Sequence, residues 1–378
     1  MTIFQPIGSF FPAAIGGPDV IMYWHAKALT SAGVEVWTAT TDDGIPPDVP
    51  RNRWLKTDCG EVNYVRTRVH YAPARLLATA MGPLRRADVV HLNAVFYPSS
   101  WLLAPVALAL GKPVVWTTHG ELDPDALVYS AGRKQKVLGL IRRFSSQIVF
   151  HTTCAAETGY VREQFGPEAR VFEVPYFTEL PELLPRTDTR TLLYVGRIHP
   201  KKAIENLIDA VALSDVFKTQ KWRLVIVGNA DNEYGQGLRA QAERLGLTEK
   251  VVFAGHKKEG EKYQLMADAH AMVMPSHTEN FGIVVTEALS QGTPVIASTG
   301  TPWEILETRQ AGIWSDNAPE VLRTNLDRLL TLPAAAYAAL RQRARALVET
   351  EFDIGPNIHR WTNFYEELIR RRVVQERR

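Results

Sequence analysis

Cysteine is scarce in this chain, at two of 378 residues, Cys59 and Cys154. Neither stands at metal-ligand spacing, and a single pair makes a poor disulfide framework. A stapled secreted scaffold is therefore excluded, and free thiols in a reducing compartment are expected. Net charge is nearly absent too: 43 basic against 41 acidic residues leave +2, which gives no case for a nucleic-acid partner. Long apolar runs are missing. The longest, 101–110, is too short to span a bilayer and contains Pro105. The first ten residues, MTIFQPIGSF, lack the basic start and apolar core of a signal peptide. The expected location is the cytoplasm, with peripheral contact at the inner membrane face left open.

What is present is globular: 46% hydrophobic and 22% charged residues over a length that suits two domains. Strand and helix patterns alternate. A strand at 3–5 is followed by a loop from Ile7-Gly8 to Gly16-Gly17, and then by an amphipathic helix over 19–32 with Val20, Ile21, Trp24, Ala28 and Leu29 on one face. Such a strand, glycine loop and helix make a phosphate-binding mouth, with Gly16 and Gly17 as donor-binding candidates, although turn glycines read the same way. Further strands are predicted at 34–38, 62–66, 88–92, 113–118, 147–152 and 171–174, with helices at 73–86 and 99–110. Ligands bind at the C-terminal ends of parallel strands, so His119, in the sequence HGELDPD, is a candidate for the reaction centre. A histidine satisfying loop backbone groups is the plainer alternative. Glu121, Asp123 and Asp125 read as turn formers, and no tightly held metal is expected. The stretch 131–144 forms a basic amphipathic helix carrying Arg133, Lys134, Lys136, Arg142 and Arg143. It is either a solvated face or a surface for anionic lipid headgroups.

The period breaks over 175–190, which holds three prolines, and a domain boundary is placed there. The domains are read as 1–178, joined by a C-terminal helix over about 358–378, and 179–357. Beyond the boundary, the strand 192–195 runs into GRIHPKK, where Arg197 and Lys202 flank a strand-to-helix turn and could neutralise a diphosphate. Strands at 222–227, 251–253 and 271–274 and a helix at 234–245 follow. The stretch PSHTENFGIVVTEALSQGTPVIAS, 275–298, then reads as loop, helix 283–289, a stop at Gly292 and Pro294, and buried strand 295–297. Backbone N–H groups of Asn280, Phe281, Gly282 and Ile283 would face an anion at that helix mouth. Glu279 and Glu287 bracket it, about 12 Å apart if the intervening eight residues were all helical. Thr301-Pro302-Trp303-Glu304 reads as a capping box. Helices at 319–330, 333–351 and 356–378 complete the chain.

The stretch PSHTENFGIVVTEAL resembles the E-x7-E signature of retaining glycosyltransferases of family 4, with Glu279 and Glu287 as the two glutamates. GRIHPKK resembles the family's GR-x4-KG segment, with Ala203 in place of glycine, and Tyr176-Phe177 replace a frequent Asn-Gly pair. The resemblance implies a GT-B fold, two Rossmann-like doubly wound parallel-sheet α/β domains facing a central cleft that closes on its donor. The last helix is expected to pack back on the first domain through Trp361, Phe364, Tyr365 and Leu368. It also implies transfer of a sugar from a UDP- or GDP-linked donor to a hydroxyl of a saccharide or lipid-linked acceptor, in polysaccharide or lipopolysaccharide synthesis. On that reading Glu287 holds the ribose, and Arg197 and Lys202 grip the diphosphate. Gly255, His256 and Lys257 lie against the base, and His119 and Glu279 lie beside the sugar. No cofactor is required beyond the nucleotide-sugar co-substrate, and no residue serves as a covalent nucleophile. A sugar-nucleotide epimerase, a phosphorylase and a non-catalytic nucleotide-sugar binding protein are the alternatives.

Overall fold

A computed structural model describes residues 1–13, 17–69 and 73–376, with side chains through 372. It divides into unit 1, Met1–Glu179 with Ile354–Arg378, and unit 2, Leu180–Asp353. Unit 1 holds β1 (Thr2–Pro6), β2 (Glu35–Thr41), β3 (Leu55–Thr57), β4 (Gly60–Val65), β5 (Val89–Asn93), β6 (Val114–Thr117), β7 (Ile148–Thr152) and β8 (Arg170–Glu173). They lie in the order β3-β4-β2-β1-β5-β6-β7-β8, parallel except for the β3–β4 hairpin. Unit 2 holds β9 (Thr191–Val195), β10 (Arg223–Val227), β11 (Val251–Gly255), β12 (Ala271–Met274), β13 (Val295–Ser298) and β14 (Gly312–Ser315). Their order is β11-β10-β9-β12-β13-β14. Both sheets reverse strand order beside their first strand, and the crevice at that switch is where doubly wound folds bind ligands. β5, β7 and β9 are buried along their whole length, as strands covered on both faces must be.

Several elements had no legible pattern. β3 is three half-exposed residues, and its hairpin depends on Gly60, at φ +96°, where a Cβ would lie 2.3 Å from the Val36 carbonyl oxygen. β14 and the helix Glu259–Asp268 were also missed. The predicted capping box does not form. Thr301 Oγ1 donates to the Ser298 carbonyl (2.6 Å), Trp303 is buried, and the helix starts only at Ile305 with Glu304 as its cap residue. The terminal helix is a short turn, Ile354–Asn357, followed by His359–Glu376.

Within unit 1 that last helix buries Trp361, Tyr365 and Leu368, while Phe364 stacks on Phe172 of β8 at 3.8 Å. Its polar anchor is a directional hydrogen-bond chain. His151 Nε2 faces the Val174 carbonyl (2.9 Å), which can only accept, so that nitrogen carries the proton and Nδ1 accepts from Thr117 Oγ1 (2.9 Å). Thr117 in turn accepts from His91 Nε2 (2.7 Å), His91 Nδ1 accepts from Tyr365 Oη (2.7 Å), and Tyr365 accepts from His25 Nε2 (3.0 Å). One carbonyl thus sets the tautomer of three buried histidines on β5, β7 and the first helix.

Burial holds His25 at about 3 and His151 at about 4, with His91 well below its ordinary value. An unfolded chain protonates these groups near 6.5, whereas the folded one resists to about 3–4. Their contribution to stability is therefore complete above about pH 6.5 and is lost as pH falls through that window. The melting temperature should drop steadily between pH 7 and pH 5. Tyr365→Phe, which strands His91 Nδ1 and the His25 N–H, should cost about 1–3 kcal/mol in chemical denaturation at pH 7.5.

Candidate functional site

Unit 2 builds its site from the two loops at the strand-order switch. After β9 the chain turns through Gly196 and Arg197 into the short 3-10 turn Pro200–Lys202. Arg197 is exposed, forms no ion pair among the described residues, and is fixed at its backbone, where its carbonyl accepts from Tyr194 Oη (2.9 Å). Ala203 sits at φ 48°, ψ 42°, a left-handed conformation that explains why the resembling segment carries glycine there.

After β12 the loop 275–282 leads to the helix Ile283–Ser290. Only five residues from Ile283 to Glu287 are helical, so the full-helix spacing of about 12 Å for the two glutamates does not apply. Gly282, at φ +80°, caps the helix, and a Cβ there would meet Met274 Cε at 2.5 Å. Gly282 and Ile283 present N–H groups that the helix itself cannot satisfy. The Phe281 ring, by contrast, is buried beside Trp303 and Phe352, and its carbonyl accepts from Trp303 Nε1 at 2.5 Å. Only its backbone belongs to the mouth. Asn280 is half-buried beside it. At the other end of the helix Arg341 donates to the Gln291 carbonyl (3.0 Å) and Arg345 to that of Ser290, cations where the dipole is negative.

Lys202 and Glu279, 77 residues apart, form an ion pair, so the two switch-point loops meet directly. Glu287 is 8% exposed. Its Oε1 accepts from Lys262 Nζ (2.6 Å), while Oε2 is buried without a donor. Lys262 lies on the unpredicted helix Glu259–Asp268, and nothing in EKYQ marked it as the partner of Glu287. Gly255, at φ +68°, and exposed His256 stand at the end of β11, two strands from β9, while the Lys257 ammonium lies 4.0 Å from Glu261.

In unit 1, His119 follows β6 in a left-handed conformation, φ 51°. Asn93 Nδ2 donates to the His91 carbonyl (3.2 Å), which turns its Oδ1 towards His119 Nε2 (3.1 Å). Nε2 therefore donates, and Nδ1 accepts from Tyr176 Oη (2.6 Å). Burial, with a smaller effect of His151, lowers its pKa to about 3. His119 is thus a neutral imidazole with both nitrogens engaged, suited to positioning rather than proton transfer. Tyr176, at the position where the resembling family often has a different residue, supplies one of those partners.

Glu157 was missed by sequence reasoning, because a helix glutamate carries no signal of burial. Its carboxylate accepts from Thr118 Oγ1 (2.5 Å), Gly120 N–H (2.7 Å), Thr153 N–H (2.7 Å) and Thr153 Oγ1 (3.0 Å), and it fixes the loop that bears His119. Glu121 does close a turn, its N–H donating to the Thr118 carbonyl (3.1 Å), but its carboxylate also accepts from the N–H groups of Val95 and Phe96, and burial raises its pKa. Gly17 opens the helix Gly17–Ser31, whose buried Asp19 accepts from Ser9 Oγ (3.0 Å), and Gly16 lies outside the described residues.

The geometry of the unit 2 loop depends on Gly300. A Cβ there would lie 2.0 Å from the His277 carbonyl oxygen, and Glu279 N–H donates to the Gly300 carbonyl (3.0 Å). Gly300→Ala should therefore displace Glu279 and lower turnover at least about tenfold, the effect of about 1.4 kcal/mol at the transition state. Steady-state kinetics beside a melting curve would separate this from general unfolding.

The family model described as "Glycosyl transferase 4-like domain" matches residues 16–176, and that described as "Glycosyl transferases group 1" matches 177–347. A GDP-mannose:cellobiosyl-diphosphopolyprenol alpha-mannosyltransferase of Xanthomonas oryzae is 26% identical, covering 100% of this chain and 99% of that protein. A D-inositol 3-phosphate glycosyltransferase of Segniliparus rotundus is also 26% identical, over 84% of this chain and 77% of its own length. Among solved structures, Anabaena HepE in complex with UDP and glucose is similar with a TM-score of 0.74 at 18% identity, covering 97% of this chain and 100% of that one. That likeness is one of fold, GT-B.

Proposed function

We propose that this chain, which belongs to glycosyltransferase family 4, moves a sugar from a UDP- or GDP-linked donor to a hydroxyl of a saccharide or lipid-linked acceptor, with retention of configuration. The observation that carries the reading is the meeting of the loops after β9 and β12 through Lys202 and Glu279. It brings a cation to the helix mouth at Gly282 and Ile283, where a diphosphate would be held.

On this reading the glycosidic bond to the diphosphate breaks first. Arg197, Lys202 and the N–H groups of the mouth then stabilise the charge growing on the departing oxygen. Glu287 holds the ribose hydroxyls. Its buried oxygen without a donor supports that role, because such an atom costs about 1–3 kcal/mol that ligand hydroxyls would recover once the carboxylate turns towards them. Glu279, released from Lys202 by the diphosphate, and His119 orient the sugar and the acceptor. Gly255, His256 and Lys257 are assigned to the base. Gly17 and its neighbours at the start of the first helix of unit 1 are the remaining binding candidates.

The Xanthomonas relative is named for a GDP-mannose donor and a diphosphopolyprenol-linked acceptor, and HepE was solved with UDP and glucose. Those names support the donor class and a place in cell-surface polysaccharide synthesis. Among the described residues no helix is long and apolar enough to cross a membrane. Membrane contact is assigned to the helix Ala131–Ile141, which buries Leu138 and Ile141 and exposes Arg133 and Lys136. Lys134 donates to the Ala126 carbonyl (2.7 Å), and Arg142, just beyond the helix, to that of Gln164 (2.7 Å), so these two cations are committed to the protein itself.

Because side-chain cations supply the charge, transfer should persist in excess EDTA. Arg197→Ala and Lys202→Ala should each lower kcat by about 10²–10³ with a smaller change in KM. Radiolabelled transfer from UDP- and GDP-sugars would read both. Activity that vanishes on chelation, or variants as fast as wild type, would contradict the assignment.

A further inference from the structure

The sheet of unit 1 has a second end. His119 stands beyond the C-terminal end of β6, whereas a cavity of about 550 Å³ opens at the other end, where β6, β7 and β8 begin. Lys112 precedes β6, Arg170 opens β8, and Arg371 and Arg372 descend from the last turns of the helix His359–Glu376. Leu108 and Leu368 line an apolar part of the same wall. No carboxylate is among the described lining residues.

Among the described residues the guanidiniums of Arg170 and Arg371 are poorly balanced by carboxylates. Arg170 forms no ion pair among the described residues, and its pKa is pushed down by partial desolvation at the exposed rim of the cavity and by the Arg371 guanidinium beside it. Arg371 shares a single carboxylate, Glu367 (2.7 Å), with Arg370 (2.6 Å). Two guanidiniums held near each other offer paired donors in the geometry that phosphate oxygens accept, and a bound dianion would relieve their repulsion. The volume lies in the range of small-ligand sites.

We propose that this cavity is a binding site for a phosphate-bearing ligand, separate from the transferase site, with the phosphate on Arg170 and Arg371 and a less polar remainder against Leu108 and Leu368. A phospholipid headgroup and a soluble phosphate ester both present that chemistry. The test uses the full chain with two probes: glycerol phosphate by calorimetry, and co-sedimentation with phosphatidylcholine vesicles with or without phosphatidylglycerol. Arg170→Gln/Arg371→Gln should weaken whichever interaction the wild type shows at least tenfold. Arg170→Lys, which keeps the charge and loses the fork, should fall between. Arg133→Gln/Lys136→Gln on the helix Ala131–Ile141, which lines no part of this cavity, should leave glycerol phosphate binding unchanged. Binding of glycerol phosphate assigns a soluble ligand, and binding of the anionic vesicles alone assigns the membrane. Binding of neither, binding that survives the Arg170→Gln/Arg371→Gln substitution, or equal loss of glycerol phosphate binding in the 133/136 control would overturn the proposal. Melting curves of each variant, expected to match wild type because both arginines are solvent-facing, exclude unfolding as the cause of loss.

Discussion

The entry to the helix Ile283–Ser290 depends on a place where backbone presses on backbone. Gly300 approaches the His277 carbonyl more closely than any side chain would permit, and Gly282 turns left-handed under the Met274 side chain. Those two contacts set the direction of the loop 275–282 and hence the position of Glu279. At the first turn of the helix the N–H groups of Gly282 and Ile283 have no intrahelical acceptor. The strand order does the rest. With β9 and β12 adjacent, the loop bearing Arg197 and Lys202 is brought beside this mouth.

The charges at the site are nearly balanced before any ligand arrives. Lys202 is paired with Glu279 and Lys262 with Glu287, and Arg197 is the cation among the predicted site residues that has no carboxylate partner among the described residues. A diphosphate entering such a site exchanges partners rather than meeting bare charge. Because partly buried pairs recover only part of their desolvation cost, the exchange is not steeply uphill. The same logic separates the roles of the two glutamates. Glu279 can be released by competition for its lysine, whereas Glu287 keeps Lys262 and still has an acceptor to offer.

Much of this was legible in the sequence. β-branched runs bounded by glycine and proline located most strands, and the spacing in PSHTENFGIVVTEAL placed the helix mouth and both glutamates around it. What stayed hidden depends on contacts between distant segments. Lys262 and Glu157 sit on helices whose faces carry no distinctive period, so neither the partner of Glu287 nor the buried carboxylate under the His119 loop could be named. The role of Phe281 was half visible, its backbone at the mouth and its ring turned into the core beside Trp303. The capping box at Thr301 failed because a hydroxyl that could cap a helix was already bound to the Ser298 carbonyl. His119 was found by its place after a strand, yet its neutral, doubly held state depends on Asn93 and Tyr176.

The most direct test of the central claim is binding calorimetry of UDP-, GDP- and ADP-sugars against wild type and Glu287→Ala. The account predicts selective binding of one nucleotide class by wild type, weakened about tenfold or more when the carboxylate that holds the ribose is removed, the scale of one charged hydrogen bond. Equal binding by the variant, or no binding of any nucleotide sugar by the intact chain, would contradict it.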